Sequence, residues 1–239
     1  MYASVKRQRE NLEINHMHPK TEISRPLQWL HTLGVMSVCA CTLIGCSLFD
    51  RSDVRGAQYL IAPPAQAKVD GKPLGSMSVT RFSALPPYDR RAFLYHTADG
   101  SWRADTYNGF MSDPSDMVTE SFAAALSQSG RATFVLGEGL SVRGDFSVNG
   151  VVERFYADYT DASSPKAIVE LHVYLLDGRG YRSRLVGEYD GKGAVAIAGK
   201  EPSDVAQALS QASGKAIDAV IREFPQSVAA EPKQDSSKP

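Results

Sequence analysis

Thiols and imidazoles are the side chains of this 239-residue sequence best suited to chemistry, and their positions restrict what that chemistry can be. The cysteines, Cys39, Cys41 and Cys46, share one short segment, so no disulfide can cross-link the chain that follows. Beyond Cys46 the histidines are His96 and His172, with no cysteine partner for a metal. Neither lies in a recognisable Ser-His-Asp motif. We therefore predict no metal, no cofactor and no enzymatic activity; a hydrolase would require a polar pocket around His96.

The segment before Cys46 has the layout of an export signal. Residues 1–26 are polar and carry several basic side chains, whereas residues 27–45 are almost uncharged and mostly apolar. The segment ends in Leu43-Ile44-Gly45-Cys46, which resembles the lipobox of bacterial lipoproteins. That resemblance implies cleavage between Gly45 and Cys46, diacylglycerol on the thiol, and a further acyl chain such as palmitate on the new amine. Several acyl chains together hold a protein firmly to a bilayer.

Alternatives stay open for this front end. Leu27–Leu48 is close to the roughly 20 residues that a transmembrane helix needs, so an uncleaved anchor is the competing interpretation. Translation could start at Met1 or at Met17. Ser47 follows the cysteine in place of Asp, which by analogy with lipoprotein sorting favours the outer membrane, facing the periplasm, over the inner one.

Composition is that of a soluble globular domain with peripheral segments. Apolar residues make up 43% and charged residues 22% of the chain. The formal net charge of -1 gives no field that would attract phosphate backbones, which argues against nucleic acid as a partner. We predict an N-terminal extension and signal peptide over 1–45, a lipidated tether over 46–57, a folded domain over 58–226 and a disordered tail over 227–239.

Hydrophobic periodicity predicts the elements of that domain. Alternating or apolar runs predict strands over 58–62, 76–83, 92–97, 102–110, 141–160, 166–176 and 181–198. Helical spacing predicts one helix from Pro114 to a cap at Gly130 and another from Pro202 to about Phe224. The expected fold is a single two-layer α/β domain, with a mostly antiparallel mixed sheet and both helices packed on one face.

Two glycine pairs resemble fragments of phosphate-binding loops. Neither Gly137-Glu138-Gly139 nor Gly191-Lys192-Gly193 completes the Gly-x-x-x-x-Gly-Lys-Ser/Thr pattern. We interpret both as hairpin turns.

Three segments together resemble a known family. They are Leu85-Pro86-Pro87-Tyr88-Asp89-Arg90-Arg91-Ala92-Phe93-Leu94, Trp102-Arg103-Ala104-Asp105 and Pro114-Ser115-Asp116-Met117-Val118. Their order and spacing resemble the ABC-type transport auxiliary lipoproteins, the PqiC-like family, over most of residues 58–224. The resemblance implies an auxiliary subunit of an MCE-like intermembrane lipid transport system, whose partners would be an MCE-type protein, a permease and an ATPase. No catalytic residue is transferred.

The same segments supply the candidate partner interface, which comprises Tyr88, Asp89, Arg90, Arg91, Trp102 and Tyr107. Arginine, tryptophan and tyrosine are over-represented at interaction hot spots. The alternative for Asp89 and Arg90 is a local ion pair that fixes the turn, and for Arg91, Trp102 and Tyr107 partial burial in the hairpin. Homo-oligomerisation would add avidity. The alternative function is a lipoprotein that binds a small apolar ligand or a cell-wall component between helices and sheet.

Overall fold

The computed structural model describes residues 56–65, 67–137 and 142–229. The described residues belong to one compact unit. The predicted signal peptide, Cys46 and the possible helix at Leu27–Leu48 all lie outside the described residues, as does the end of the predicted tail. No helix in the described part of the chain is long and apolar enough to span a membrane.

The described residues form one nine-stranded mixed sheet and two helices, which confirms the α/β fold class. The strands are β1 Gln58–Tyr59, β2 Met77–Val79, β3 Ser83–Ala84, β4 Ala92–Thr97, β5 Trp102–Phe110, β6 Val135–Leu136, β7 Phe146–Tyr159, β8 Lys166–Asp177 and β9 Arg184–Ala196. The helices are α1 Pro114–Ser129 and α2 Pro202–Glu223.

Strand β7 is the centre of the sheet. On one side it pairs antiparallel with β8, which pairs antiparallel with β9, and these are the longest ladders. On its other side β2, β3 and β4 pair with successive stretches of β7, all in parallel. Strand β5 pairs antiparallel with β4, and β1 adds in parallel to β5 at the edge. Strands β1 and β9 therefore form opposite edges.

The two faces of the sheet differ in polarity. On β8, Val169, Leu171 and Val173 are buried under the helices, while His172 and Tyr174 point to the other side and are partly exposed. Both helices contribute to the same buried core as the strands. We call the side away from the helices the open face.

The predicted strand over 76–83 is divided in two. β2 pairs with Phe146–Val148, whereas β3 pairs with Val151 and Val152, so the register changes between them. The intervening Phe82 is buried, and its backbone N–H donates to Thr119 Oγ1 on α1. The backbone N–H of Phe82 therefore bonds to α1 instead of to a neighbouring strand, which interrupts the strand at this residue.

The interpretation of Gly191-Lys192-Gly193 as a turn is wrong, because both glycines lie inside β9. A Cβ on Gly193 would lie 2.7 Å from the carbonyl carbon of Ala212, and one on Gly191 would lie 3.0 Å from that of Ala216. The missing side chains let α2 lie directly against the strand.

Candidate functional site

Four rings cluster on the open face at the β4–β5 hairpin. His96 stacks on Trp102 with centroids 4.5 Å apart and an interplanar angle of 10°. Tyr156 contacts Trp102 at 4.9 Å, and Tyr88 lies 6.1 Å from both Trp102 and Tyr156. We call Tyr88, His96, Trp102 and Tyr156 the aromatic cluster. Trp102 keeps 46% of its surface exposed, although it touches the three other rings.

The hairpin places two of these rings opposite each other. His96 and Trp102 are cross-strand partners in the β4–β5 ladder. The turn between them is held by Asp99, whose carboxylate accepts hydrogen bonds from the Ser101 backbone N–H and from two hydroxyls. These hydrogen bonds hold the pKa of Asp99 below its usual range. Gly100 supplies the left-handed residue, with a φ of 77°.

Tyr156 reaches the cluster through strand pairing between distant segments. Its neighbours on β7, Phe155 and Ala157, are buried in the core, so Tyr156 points to the open face. The parallel ladder aligns Asp158 with His96, and their side chains approach to 3.9 Å. Sequence reasoning missed Tyr156 because nothing local indicates that β7 lies beside β4.

Tyr88 is positioned by the turn before β4. Its backbone N–H donates to the Leu85 carbonyl at 2.8 Å, and Arg90 Nε donates to the Pro87 carbonyl at 2.9 Å. In the part of the chain that the structure describes, no ion pair joins Arg90 to Asp89, which is exposed. In place of the local ion pair, which was the alternative to a docking role, the Arg90 guanidinium bonds to the backbone.

The two tyrosines of the cluster are neutral and lie beside an ion pair. Burial raises the pKa of Tyr88 and of Tyr156, so both hydroxyls stay protonated at neutral pH. Next to them Arg154 Nη1 lies 3.3 Å from Glu170 Oε1. The arrangement offers ring faces, hydroxyls and an indole edge, which are groups suited to binding.

The structure separates Arg91 and Tyr107 from Tyr88 and Trp102. Arg91 Nε lies 3.1 Å from Asp113 Oδ1. Asp113 is the N-cap residue of α1, yet its side chain makes no capping hydrogen bond. Arg91 therefore links the start of β4 to the start of α1.

Tyr107 lies on a wide bulge of β5. The ladder passes from Ala92–Gly109 directly to Leu94–Ala104, which leaves residues 105–108 of β5 without partners on β4. The Asp105 carboxylate shapes this bulge by accepting the backbone N–H groups of Tyr107 and Asn108, each at 2.9 Å. The Tyr107 side chain is 58% exposed.

His172, on the same open face, is engaged by two acids. Its Nδ1 lies 2.7 Å from Asp190 Oδ1, and its Nε2 lies 3.5 Å from Glu188 Oε2. The hydrogen bond to Asp190 raises the pKa of His172. Within the described ranges, no group of three or more His, Cys, Asp or Glu side chains is placed to hold a metal ion.

Neither known family models nor curated proteins give a match to this chain. Among solved structures, a Xanthomonas campestris protein assigned to the family DUF330 is similar, with a TM-score of 0.59 and 21% identity over 68% of this chain and 91% of that one. An uncharacterized protein has a TM-score of 0.52 and 13% identity over 69% of this chain and 100% of that one. Lipoprotein GNA1162 from Neisseria meningitidis reaches a TM-score of 0.32 and 14% identity, over 55% of this chain and 90% of that one, which is too low to establish a common fold.

The first two similarities establish a fold. This chain shares the architecture of the DUF330 protein, a sheet with helices on one face, over most of the folded unit. Membership of the PqiC-like family stays a prediction from the sequence segments.

Proposed function

We propose that this chain is a non-enzymatic lipoprotein, anchored in the outer membrane and facing the periplasm, that serves as an auxiliary subunit of an ABC-type, MCE-like intermembrane lipid transport system. Its partners would be the MCE-type protein, the permease and the ATPase. The lipobox-like sequence ending in Cys46 supports the anchoring, and the family resemblance of the segments around Tyr88, Trp102 and Pro114 supports the transport role.

The observation that carries the docking role is the exposure of Trp102 within the aromatic cluster. The helices cover the other face of the sheet, so this ring is left facing solvent at the open face. Its contacts with His96 and Tyr156 already fix its orientation, so a partner would bind a preorganised ring with little further loss of side-chain entropy. Buried tryptophans at interfaces commonly contribute about 2 kcal/mol or more.

The surroundings of His96 also favour binding over catalysis. Its imidazole lies against the rings of Trp102 and Tyr156 and near the Asp158 carboxylate. Because its ring face stacks on the Trp102 indole, the imidazole forms part of an aromatic surface suited to binding.

Anchoring is tested first. Cys46→Ala is expected to lose metabolic labelling by palmitate and to leave the membrane fraction, because both depend on the thiol. A Cys41→Ala variant is the matched control and should keep both properties. If Cys46→Ala still fractionates with membranes, the uncleaved transmembrane helix is the correct interpretation.

Docking is tested by affinity purification of the acylated protein from mildly solubilised membranes. Wild-type protein is expected to recover transporter subunits, and Trp102→Ala to lose most of them. A loss of about 2 kcal/mol would lower affinity about 30-fold. Tyr181→Ala removes another exposed ring, 98% accessible and located between β8 and β9, and should behave like wild type.

Two outcomes would refute this assignment. Equal recovery of the subunits by Trp102→Ala and wild type, with unchanged circular dichroism, would exclude the cluster as the docking surface. Absence of transporter subunits from the wild-type sample would exclude the transport role itself.

A further inference from the structure

The start of the folded unit is fixed to one edge of the sheet. The Ala57 backbone N–H donates to Asn108 Oδ1 at 3.1 Å, and the Gly109 N–H donates to the Ala57 carbonyl at 3.1 Å. Strand β1 then pairs in parallel with Gly109 and Phe110 of β5. The position at which the tether joins the domain is thus set by three consecutive residues, Ala57, Gln58 and Tyr59.

Three large, exposed and largely apolar side chains lie on the two segments that pair there. Leu60 is 59% exposed, Tyr107 58% and Met111 54%. We call these three residues the tether patch. None of them carries a charge.

Strand pairing brings the members of the tether patch together. Tyr59 and Phe110 are register partners, and both pack on the Phe93 ring in the core, at 5.5 and 4.7 Å. The residues that follow them, Leu60 and Met111, therefore point away from the core, and the Met111 N–H donates to the Tyr59 carbonyl.

Tyr107 completes the patch from the bulge. A Cβ on Gly56 would lie 2.7 Å from the Tyr107 carbonyl carbon, so the incoming chain runs directly beside this residue.

We infer that the tether patch is a lipid contact, which rests on the bilayer surface and orients the domain; this inference rests on the proposed anchoring through Cys46. Residues 47–55 can span no more than about 32 Å even when fully extended. The patch therefore begins within a few nanometres of the acyl chains, and the tether keeps a high effective concentration of bilayer around it.

The chemistry of the three side chains of the tether patch suits contact with a bilayer surface. Leucine and methionine lose exposed apolar surface when they enter the boundary between headgroups and acyl chains. Tyrosine is enriched at this depth because its ring is apolar and its hydroxyl remains hydrated. A weak contact of this kind suffices, since the acyl chains already prevent dissociation.

Depth-dependent quenching tests the inference on the acylated, full-length protein. No cysteine follows Cys46 in the sequence, so a single introduced cysteine can be labelled selectively with an environment-sensitive fluorophore. Leu60→Cys and Met111→Cys place the label in the patch. Leu185→Cys places it on β9, at the opposite edge of the sheet, where the native side chain is 48% exposed. Each protein is reconstituted into phosphatidylethanolamine–phosphatidylglycerol vesicles that contain nitroxide-labelled phospholipid.

Labels at positions 60 and 111 are expected to be quenched several times more strongly than the label at 185. In a second variant, Tyr107→Ser added to Met111→Cys should reduce quenching at 111 while flotation with vesicles is unchanged. Circular dichroism and thermal melting check that each variant folds.

Equal quenching at all three positions in protein that floats with the vesicles would overturn the inference and leave anchoring intact. Shielding of the patch labels only when transporter subunits are added would also overturn it, in favour of a protein partner. Failure of the protein to float would refute the anchoring and this inference with it.

Discussion

Gly193→Ala is expected to destabilise the domain, because the glycine lets α2 lie against β9. A Cβ at this position would lie 2.7 Å from the carbonyl carbon of Ala212 and would overlap the carbonyl oxygen, whereas ordinary contacts begin at 3.4 Å. The obstacle is helix backbone, which cannot rotate away as a side chain can. The helix must therefore move outward by at least about 0.7 Å, and that movement would loosen Ala212 and Ala216, which are both fully buried.

The cost of such overpacking is typically 1–3 kcal/mol, and the backbone obstacle places this case near about 3 kcal/mol. A domain of this size loses about 2–4 °C in Tm for each kcal/mol, so we expect a fall of about 6–12 °C. Urea titration of residues 47–239, followed by circular dichroism and by the fluorescence of Trp102, measures the free energy of unfolding.

Gly137→Ala provides the matched control, because a Cβ there meets nothing within 4 Å. It should change the free energy of unfolding by less than about 0.5 kcal/mol. If Gly193→Ala is as stable as this control with an unchanged denaturant slope, the close approach of α2 to β9 does not exist as described.

Three further substitutions test the site and its surroundings. Asp105→Ala should lower the free energy of unfolding by about 2 kcal/mol in urea titrations, because two backbone N–H groups of the bulge lose their acceptor; a loss below about 0.5 kcal/mol would contradict this. Asp190→Asn should lower the pKa of His172 as measured by NMR, and it should destabilise the domain more at pH 5 than at pH 9. The pKa of His172 is raised in the folded state, so its pairing with Asp190 stabilises the fold below the pKa of the unfolded state, and this contribution disappears as pH rises through the folded-state pKa. Hydrogen bonds from Arg179 lower the pKa of Asp177 to about 2, so the ionised carboxylate stabilises the fold above its unfolded-state pKa. Asp177→Asn should therefore lower the free energy of unfolding at pH 7, and the difference from wild type should vanish as pH falls towards 2.

Local signals predicted much of the fold. The strands of the β4–β5 hairpin match the predicted bounds because Asp99-Gly100 specifies the reversal between them. The helix from Pro114 and the helix from Pro202 also match, because proline at the first turn and an amphipathic repeat are both readable within a short window. Val135–Leu136 was not predicted, since a two-residue strand has no periodicity.

The candidate site was only partly predictable. Tyr88 and Trp102 were selected by residue type and do meet, whereas Arg91 and Tyr107 were selected by the same criterion and lie elsewhere. Tyr156 joins the cluster only because a strand more than fifty residues later pairs in parallel with β4. Such pairing depends on which residues are buried across the whole sheet, and this cannot be inferred from any single segment.

By itself, the sequence determined a charged and then apolar front end that terminates at Cys46, a following chain without thiols, and the type of most secondary-structure elements. Each of these depends on residues close together along the chain. Only the tertiary structure decided that Gly193 lies under a helix, that Tyr156 lies beside Trp102 and that Tyr107 lies where the tether meets the domain. These placements follow from the order of strands in the sheet, which is fixed by packing between segments distant in sequence.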